Sequence, residues 1–163
     1  MEATVTWSEG LTFAGSAPSG FSLPLGTDSS VGGANDGFRP VELLALSLAA
    51  CTAMDVMSIL QKKQARVSGF EVRFQGSRQA EHPKVFTAAR LIYQISGVNV
   101  SEEAVRRAIE LSVTKYCPVF AMLSKAFPVA TDYEILEETG DGNKKLIAAG
   151  TYESAAAAGG PTA

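Results

Sequence analysis

Apolar residues follow one another almost without a break from Val41 to Leu60, while elsewhere in the chain they alternate with polar residues or thin out. Leu and Ala dominate the middle of this stretch and no Gly interrupts it; both are strong helix formers. Pro40 suits a first helical position, where a missing N–H costs nothing. Arg39 to Leu60 therefore predicts one helix about 30 Å long, apolar over most of its circumference and buried at the centre of the fold. Glu42, Ser47, Asp55 and Ser58 argue against a membrane span, because a carboxylate at mid-membrane costs several kcal/mol.

Ahead of the helix, residues 3–7 and 11–14 predict two short strands about a Glu9-Gly10 turn, and residues 21–25 a third. A Gly-, Ser- and Asp-rich loop over 26–37 feeds the helix. After Gln61-Lys62-Lys63 the period shortens to two. Phe70, Val72 and Phe74 alternate with Glu71, Arg73 and Gln75, the pattern of a half-buried strand. A polar connection over 77–84 leads to a return strand over 85–96, with Ala89, Leu91, Tyr93 and Ile95 on one face. Ser101 reads as a helix N-cap, with Glu102 and Glu103 in the first turn where the dipole favours negative charge. Ala104, Ala108, Leu111 and Ser112 form that helix's inward face, with Arg106 and Arg107 outward. Proline blocks a helical hydrogen bond, so the helix breaks at Tyr116-Cys117-Pro118 and a new segment starts at Pro118. Residues 129–136 predict a closing strand. Beyond them the composition falls to Gly, Ala, Thr and Lys, too little apolar side chain to offset ordering entropy. The expectation is a single domain over residues 1–136 and a disordered tail over 137–163.

With 163 residues, 46% of them hydrophobic, the chain can build a real core. A net charge of −3 gives no support to a nucleic-acid partner. Met1 leads directly into an alternating segment, without the basic and apolar regions of a signal peptide, so a cytoplasmic protein with no membrane partner is expected. In that reducing compartment two cysteines suggest a redox pair before a structural staple. The single histidine, His82, sits beside Pro83 in a polar turn. No residues stand at metal-ligand spacing, so neither metal nor cofactor is expected.

At 100° per residue, Ser47, Asp55 and Ser58 fall within about 40° of Cys51, a thin polar stripe on an apolar rod. Glu42 projects from the opposite side. Cys51 by itself would read as a small buried hydrophobe. Cys117, just ahead of Pro118, has two readings. At the N-terminal end of a helical segment, free amides and the dipole would lower its pKa; at a buried kink it would be inert. Both stay open at this point.

The order of elements, a helix carrying Pro40-x-Glu42-Leu-Leu-x-x-Ser47-Leu-Ala-Ala-Cys51-Thr52, and a second helix broken at Cys117-Pro118-Val119 resemble the OsmC/Ohr family of osmotically inducible and organic hydroperoxide resistance proteins. The resemblance spans roughly residues 1–136. It implies an α+β, OsmC-like fold, with antiparallel sheets packed around long central helices in an intertwined homodimer. It also implies a thiol peroxidase that reduces organic hydroperoxides and is regenerated by a dithiol such as a lipoylated protein. Cys51 would be the peroxidatic cysteine and Cys117 the resolving one, facing each other, with Asp55 and Tyr116 bordering their pocket. The family's peroxidases place a Glu directly after the helix-starting proline and an Arg in the loop ahead of it. Here Val41 follows Pro40, Glu42 comes next, residues 26–38 hold no Arg, and Arg39 adjoins Pro40. That marks a divergent branch, in which Arg39 of a partner subunit or Lys115 is the candidate cation near Cys51. The alternative is a non-catalytic dimer whose apolar groove holds a small lipophilic ligand.

Overall fold

The computed structural model describes residues 1–139 and 142–152. Strands β1 (Thr4–Glu9), β2 (Thr12–Ser16) and β3 (Ser22–Leu25) precede the long helix α1 (Pro40–Lys62). Then come β4 (Arg66–Arg78), β5 (Phe86–Val98), α2 (Glu102–Leu111), α3 (Pro118–Leu123), β6 (Val129–Glu138) and β7 (Lys144–Tyr152). The chain falls into two compact units, Met1–Leu46 and Ser47 onward, with the boundary inside α1.

The first unit is a three-stranded antiparallel sheet in the order β1-β2-β3. Gly10 turns the chain between β1 and β2 at φ +49°, a left-handed conformation that glycine adopts without strain. The register sets Trp7 opposite Phe13, Phe13 opposite Leu25 and Gly15 opposite Leu23. Since side chains alternate between faces, Val5, Trp7, Phe13, Leu23 and Leu25 share one apolar face. Val5 and Trp7 on that face are each 61% exposed.

The second unit carries a four-stranded sheet in the order β4-β5-β6-β7. The antiparallel pairing expected holds for β4–β5 and β6–β7, but β5 and β6 run parallel. The reason is the connection: α2 and α3 lie between them, and a helical crossover returns the chain in the same direction. Leu91, Tyr93 and Ile95 of β5 are fully buried, on the face that alternation assigned to the core. They share one cluster with Leu48, Val56 and Leu60 of α1, Ile109 of α2 and Ile135 of β6. Ser101 caps α2 as expected, accepting from the Ala104 N–H at 3.3 Å. Ala108 and Ser112 are buried as expected; Val105 and Ile109 are buried with them, while Ala104 and Leu111 are half-buried.

The disordered tail needs correction, while burial of α1 was expected between two subunits and a single chain shows which side it leaves open. Helix α1 is not covered all round in a single chain: Leu48, Ala49, Thr52, Val56 and Leu60 are buried, while Met54 is 73% exposed. It is also long and apolar enough to cross a membrane by length and composition. Order does not end near residue 136 either, because β6 runs to Glu138 and Lys144–Tyr152 pair with it as β7. The reading undervalued backbone pairing: Ala148 and Tyr152 pack on the core, and the Thr131 hydroxyl donates to the Tyr152 carbonyl at 2.9 Å. Residues 153–163 of the expected tail lie outside the described residues.

Candidate active site

Cys51 and Asp55 stand four residues apart on α1, so their side chains leave the same face one turn from each other. Cys117 comes from the break between α2 and α3. There the helix widens into a single π turn over Ser112–Tyr116, closed by a bond from the Cys117 N–H to the Ser112 carbonyl at 2.9 Å. Pro118 then opens α3, with Cys117 as its N-cap. Such π turns recur at functional sites. Here the turn presents Ser112 and Cys117 together: the Ser112 hydroxyl donates to Asp55 Oδ2 at 2.9 Å. The two sulfurs and an Asp55 carboxylate oxygen all lie within 4.8 Å of one another. Both cysteines are free thiols, Cys51 half-buried and Cys117 3% exposed.

Competing effects meet at the Cys117 sulfur. The Phe120 N–H donates to Sγ at 3.2 Å, which favours a thiolate, as a helix N-terminus should. Burial and the neighbouring Cys51 act the other way and win, pushing the Cys117 pKa up to about 12. Cys117 is therefore a buried protonated thiol at neutral pH.

One further residue completes the group. Tyr93, fully buried on β5, carries a hydroxyl without a hydrogen-bond partner. The Thr52 hydroxyl is near enough to favour the phenolate slightly, but it spends its proton on the Leu48 and Ala49 carbonyls at 3.2 and 3.1 Å. Desolvation raises the Tyr93 pKa, and the negative charge that Cys117, Asp55 and Cys51 can carry raises it further. Tyr93 thus shares one packed cluster with both cysteines. The sequence placed Tyr93 on the core face but treated it as packing. A hydroxyl on an inward strand face was the signal.

The remaining candidates have contacts of their own within the single chain. The Arg39 guanidinium bonds Asp28 Oδ2 at 2.8 Å, Glu42 Oε1 at 3.1 Å and Asn35 Oδ1 at 3.1 Å. Glu42 Oε2 accepts the Arg39 N–H at 3.0 Å, the N3-to-N-cap half of a capping box. Glu42 and Asp28 hold the Arg39 pKa above its usual value. Tyr116 is 49% exposed, with the Lys115 ammonium over its ring at 5.4 Å.

With this geometry in hand, likeness to known proteins can be weighed. The sequence model of the OsmC-like protein family matches residues 33–132. The chain belongs to the OsmC-like family. It is 37% identical over 136 residues to Protein YhfA of Escherichia coli K12, covering 83% of this chain and 98% of that one. A hypothetical protein of Aquifex aeolicus has a crystal structure that superimposes with a TM-score of 0.74 at 29% identity, over 85% of this chain and 97% of that one. An organic hydroperoxide resistance protein OsmC of Legionella pneumophila shares the fold at 17% identity and a TM-score of 0.60, over 82% and 94% of the two chains. The mixed α+β architecture is thus the OsmC-like fold that the motifs implied.

Proposed function

We propose that this OsmC-like protein is a cytoplasmic thiol peroxidase for organic hydroperoxides, working as a homodimer with Cys51 as the attacking thiol and Cys117 as the resolving one. The observation that carries the reading is the pairing of the two sulfurs, within 4.8 Å of each other, one half-buried and one buried. Burial keeps Cys117 protonated, which leaves Cys51 as the sulfur for attack. The Cys51 thiolate attacks the terminal oxygen of the peroxide and forms an S–O bond to it. The O–O bond breaks, the alkoxide takes a proton from water and leaves as the alcohol, and Cys51 becomes a sulfenic acid. Cys117 then attacks that sulfur, water departs with the Cys117 proton, and a disulfide forms. A dithiol such as a lipoylated protein restores both thiols by exchange.

The dimer is supported by what one chain leaves uncovered: the apolar face of the β1–β3 sheet and the Met54 side of α1. The competing reading, a non-catalytic dimer holding a lipophilic ligand, has one observation in its favour. The Arg39 guanidinium, a candidate to steady a thiolate, is committed to Asp28, Glu42 and Asn35.

The test is peroxide consumption by the reduced chain with cumene hydroperoxide and dihydrolipoamide. Wild type should turn over, and Cys51→Ser should abolish consumption. Cys117→Ser should stop after one equivalent, with a sulfenic acid on Cys51 visible by mass spectrometry. Wild type that leaves peroxide untouched would hand the site to the ligand-binding reading.

A further inference from the structure

We infer that the reduced site is also a divalent metal site, with Cys51, Asp55 and Cys117 as ligands to Zn2+. Its donor set is the first reason. Two sulfurs and a carboxylate oxygen, all within 4.8 Å of one another, approach the spacing that a tetrahedral ion with bonds of about 2.0 to 2.3 Å imposes on its ligands. Two thiolates with one hard oxygen suit zinc, a borderline-soft ion without geometric demands of its own. Cys51 and Asp55, one helical turn apart, form the kind of i, i+4 ligand pair that grips a metal from one helix. Cys117, 66 positions after Cys51, closes the site from the π turn.

The surroundings are built for ligands. Ser112, fully buried, donates to Asp55 Oδ2 at 2.9 Å, and the Phe120 N–H donates to Cys117 Sγ at 3.2 Å. Such outer bonds orient metal ligands and temper the charge on thiolate. The independent sign is Tyr93. It shares one packed cluster with both cysteines, and its hydroxyl is buried and unpartnered, which costs about 1–3 kcal/mol unless an acceptor reaches it. An occupied site would bring such an acceptor into that cluster. Binding releases the two thiol protons and involves no change of oxidation state. Because the ion uses both sulfurs, the loaded chain withholds Cys51 from peroxide. The inference shares its cysteines with the peroxidase reading but does not depend on turnover.

Titration of the metal-free, fully reduced chain with Co2+ under argon tests it. The expected result is one ion per chain, a thiolate-to-cobalt charge-transfer band in the near ultraviolet and tetrahedral d–d bands, all displaced by Zn2+. Cys51→Ser and Cys117→Ser should each weaken the charge-transfer band, and melting curves establish that they fold. Ser112→Ala keeps all three ligands and should lower affinity by about ten-fold or more. Absence of the charge-transfer band in wild type, or an undiminished band in Cys117→Ser, overturns the site. Peroxide consumption by the same metal-free preparation separates the two readings. Cobalt bands without consumption retain the metal site and remove the peroxidase; consumption without bands removes the metal site alone.

Discussion

The two units of this chain handle their apolar side chains in opposite ways. Among the described residues, every buried apolar side chain lies at or beyond Leu48. The unit that ends at Leu46 has an amphipathic sheet with Val5 and Trp7 largely in solvent and no core beneath them. Their polar clusters differ in the same sense. The Arg39, Glu42 and Asp28 group in the first unit is exposed and internally satisfied. The Cys51, Asp55 and Cys117 group in the second is packed against the core and bordered by an unsatisfied Tyr93 hydroxyl. A three-stranded sheet needs its apolar face covered to be stable. The first unit thus leaves an apolar face uncovered, and the second leaves a buried polar group without a partner.

The largest effect should come from spoiling the uncovered sheet face. Val5→Asp places a charge on it. If a second copy covers that face, burying the carboxylate costs far more than the assembly can absorb, and sedimentation should move from dimer to monomer. The wild-type interface should exceed the roughly 1,600 Å² of a standard complex. A wild type that sediments as a folded monomer at micromolar concentration would erase the contrast between the units.

The next test uses the thiol whose state the second unit controls. Burial raises the Cys117 pKa from its ordinary 9.0 to about 12, so the folded chain holds that proton more tightly than the unfolded one. Its contribution is complete below pH 9 and is lost as pH rises from about 9 toward about 12. Wild-type stability should fall across that window more steeply than that of Cys117→Ala, by roughly 1 kcal/mol per pH unit. Parallel curves in chemical denaturation would mean that burial does not hold the proton.

Much of this was legible in the sequence because it rests on local chemistry. Ser101 before two glutamates, Pro40 at a helix start and the alternation through Tyr93 each depend on neighbours a few residues away. What was missed depends on distant ones. Lys144–Tyr152 has little apolar bulk and becomes a strand because β6 offers a free edge. The π turn has no composition of its own; it follows from a helix forced to deliver Cys117 and Ser112 to α1. Cys51 and Cys117, 66 positions apart, meet Asp55 only through the fold. That the Glu42 carboxylate closes back on the Arg39 N–H depends on a side-chain rotamer that helical angles do not give.

A smaller effect, with an unusual sign, is expected at Tyr93. Tyr93→Phe keeps the ring and its packing and removes a hydroxyl that is buried without a partner. Relief of that desolvation cost should stabilise the metal-free chain by about 1 kcal/mol, read from chemical denaturation. Destabilisation by a similar amount would show that the Thr52 oxygen accepts the Tyr93 proton and that the site is already satisfied.

The smallest effect belongs to the helix cap of the first unit. Glu42 accepts both the Arg39 N–H and its guanidinium, and the backbone bond is the larger cause holding its carboxyl below the ordinary 4.5. A depressed carboxyl contributes stability at neutral pH that is lost as pH falls below that value. Both partners are solvent-exposed, so screening leaves little of the charge pairing. Glu42→Gln retains an acceptor for the N–H, and Arg39 keeps Asp28. Melting should therefore drop by less than the Tyr93→Phe shift, and the drop should shrink further in high salt. Peroxide consumption should stay at the wild-type rate, because the Glu42 carboxylate spends its bonds on Arg39. Loss of turnover in Glu42→Gln on the scale of Cys51→Ser would break the comparison, placing the cap of one unit in the chemistry of the other.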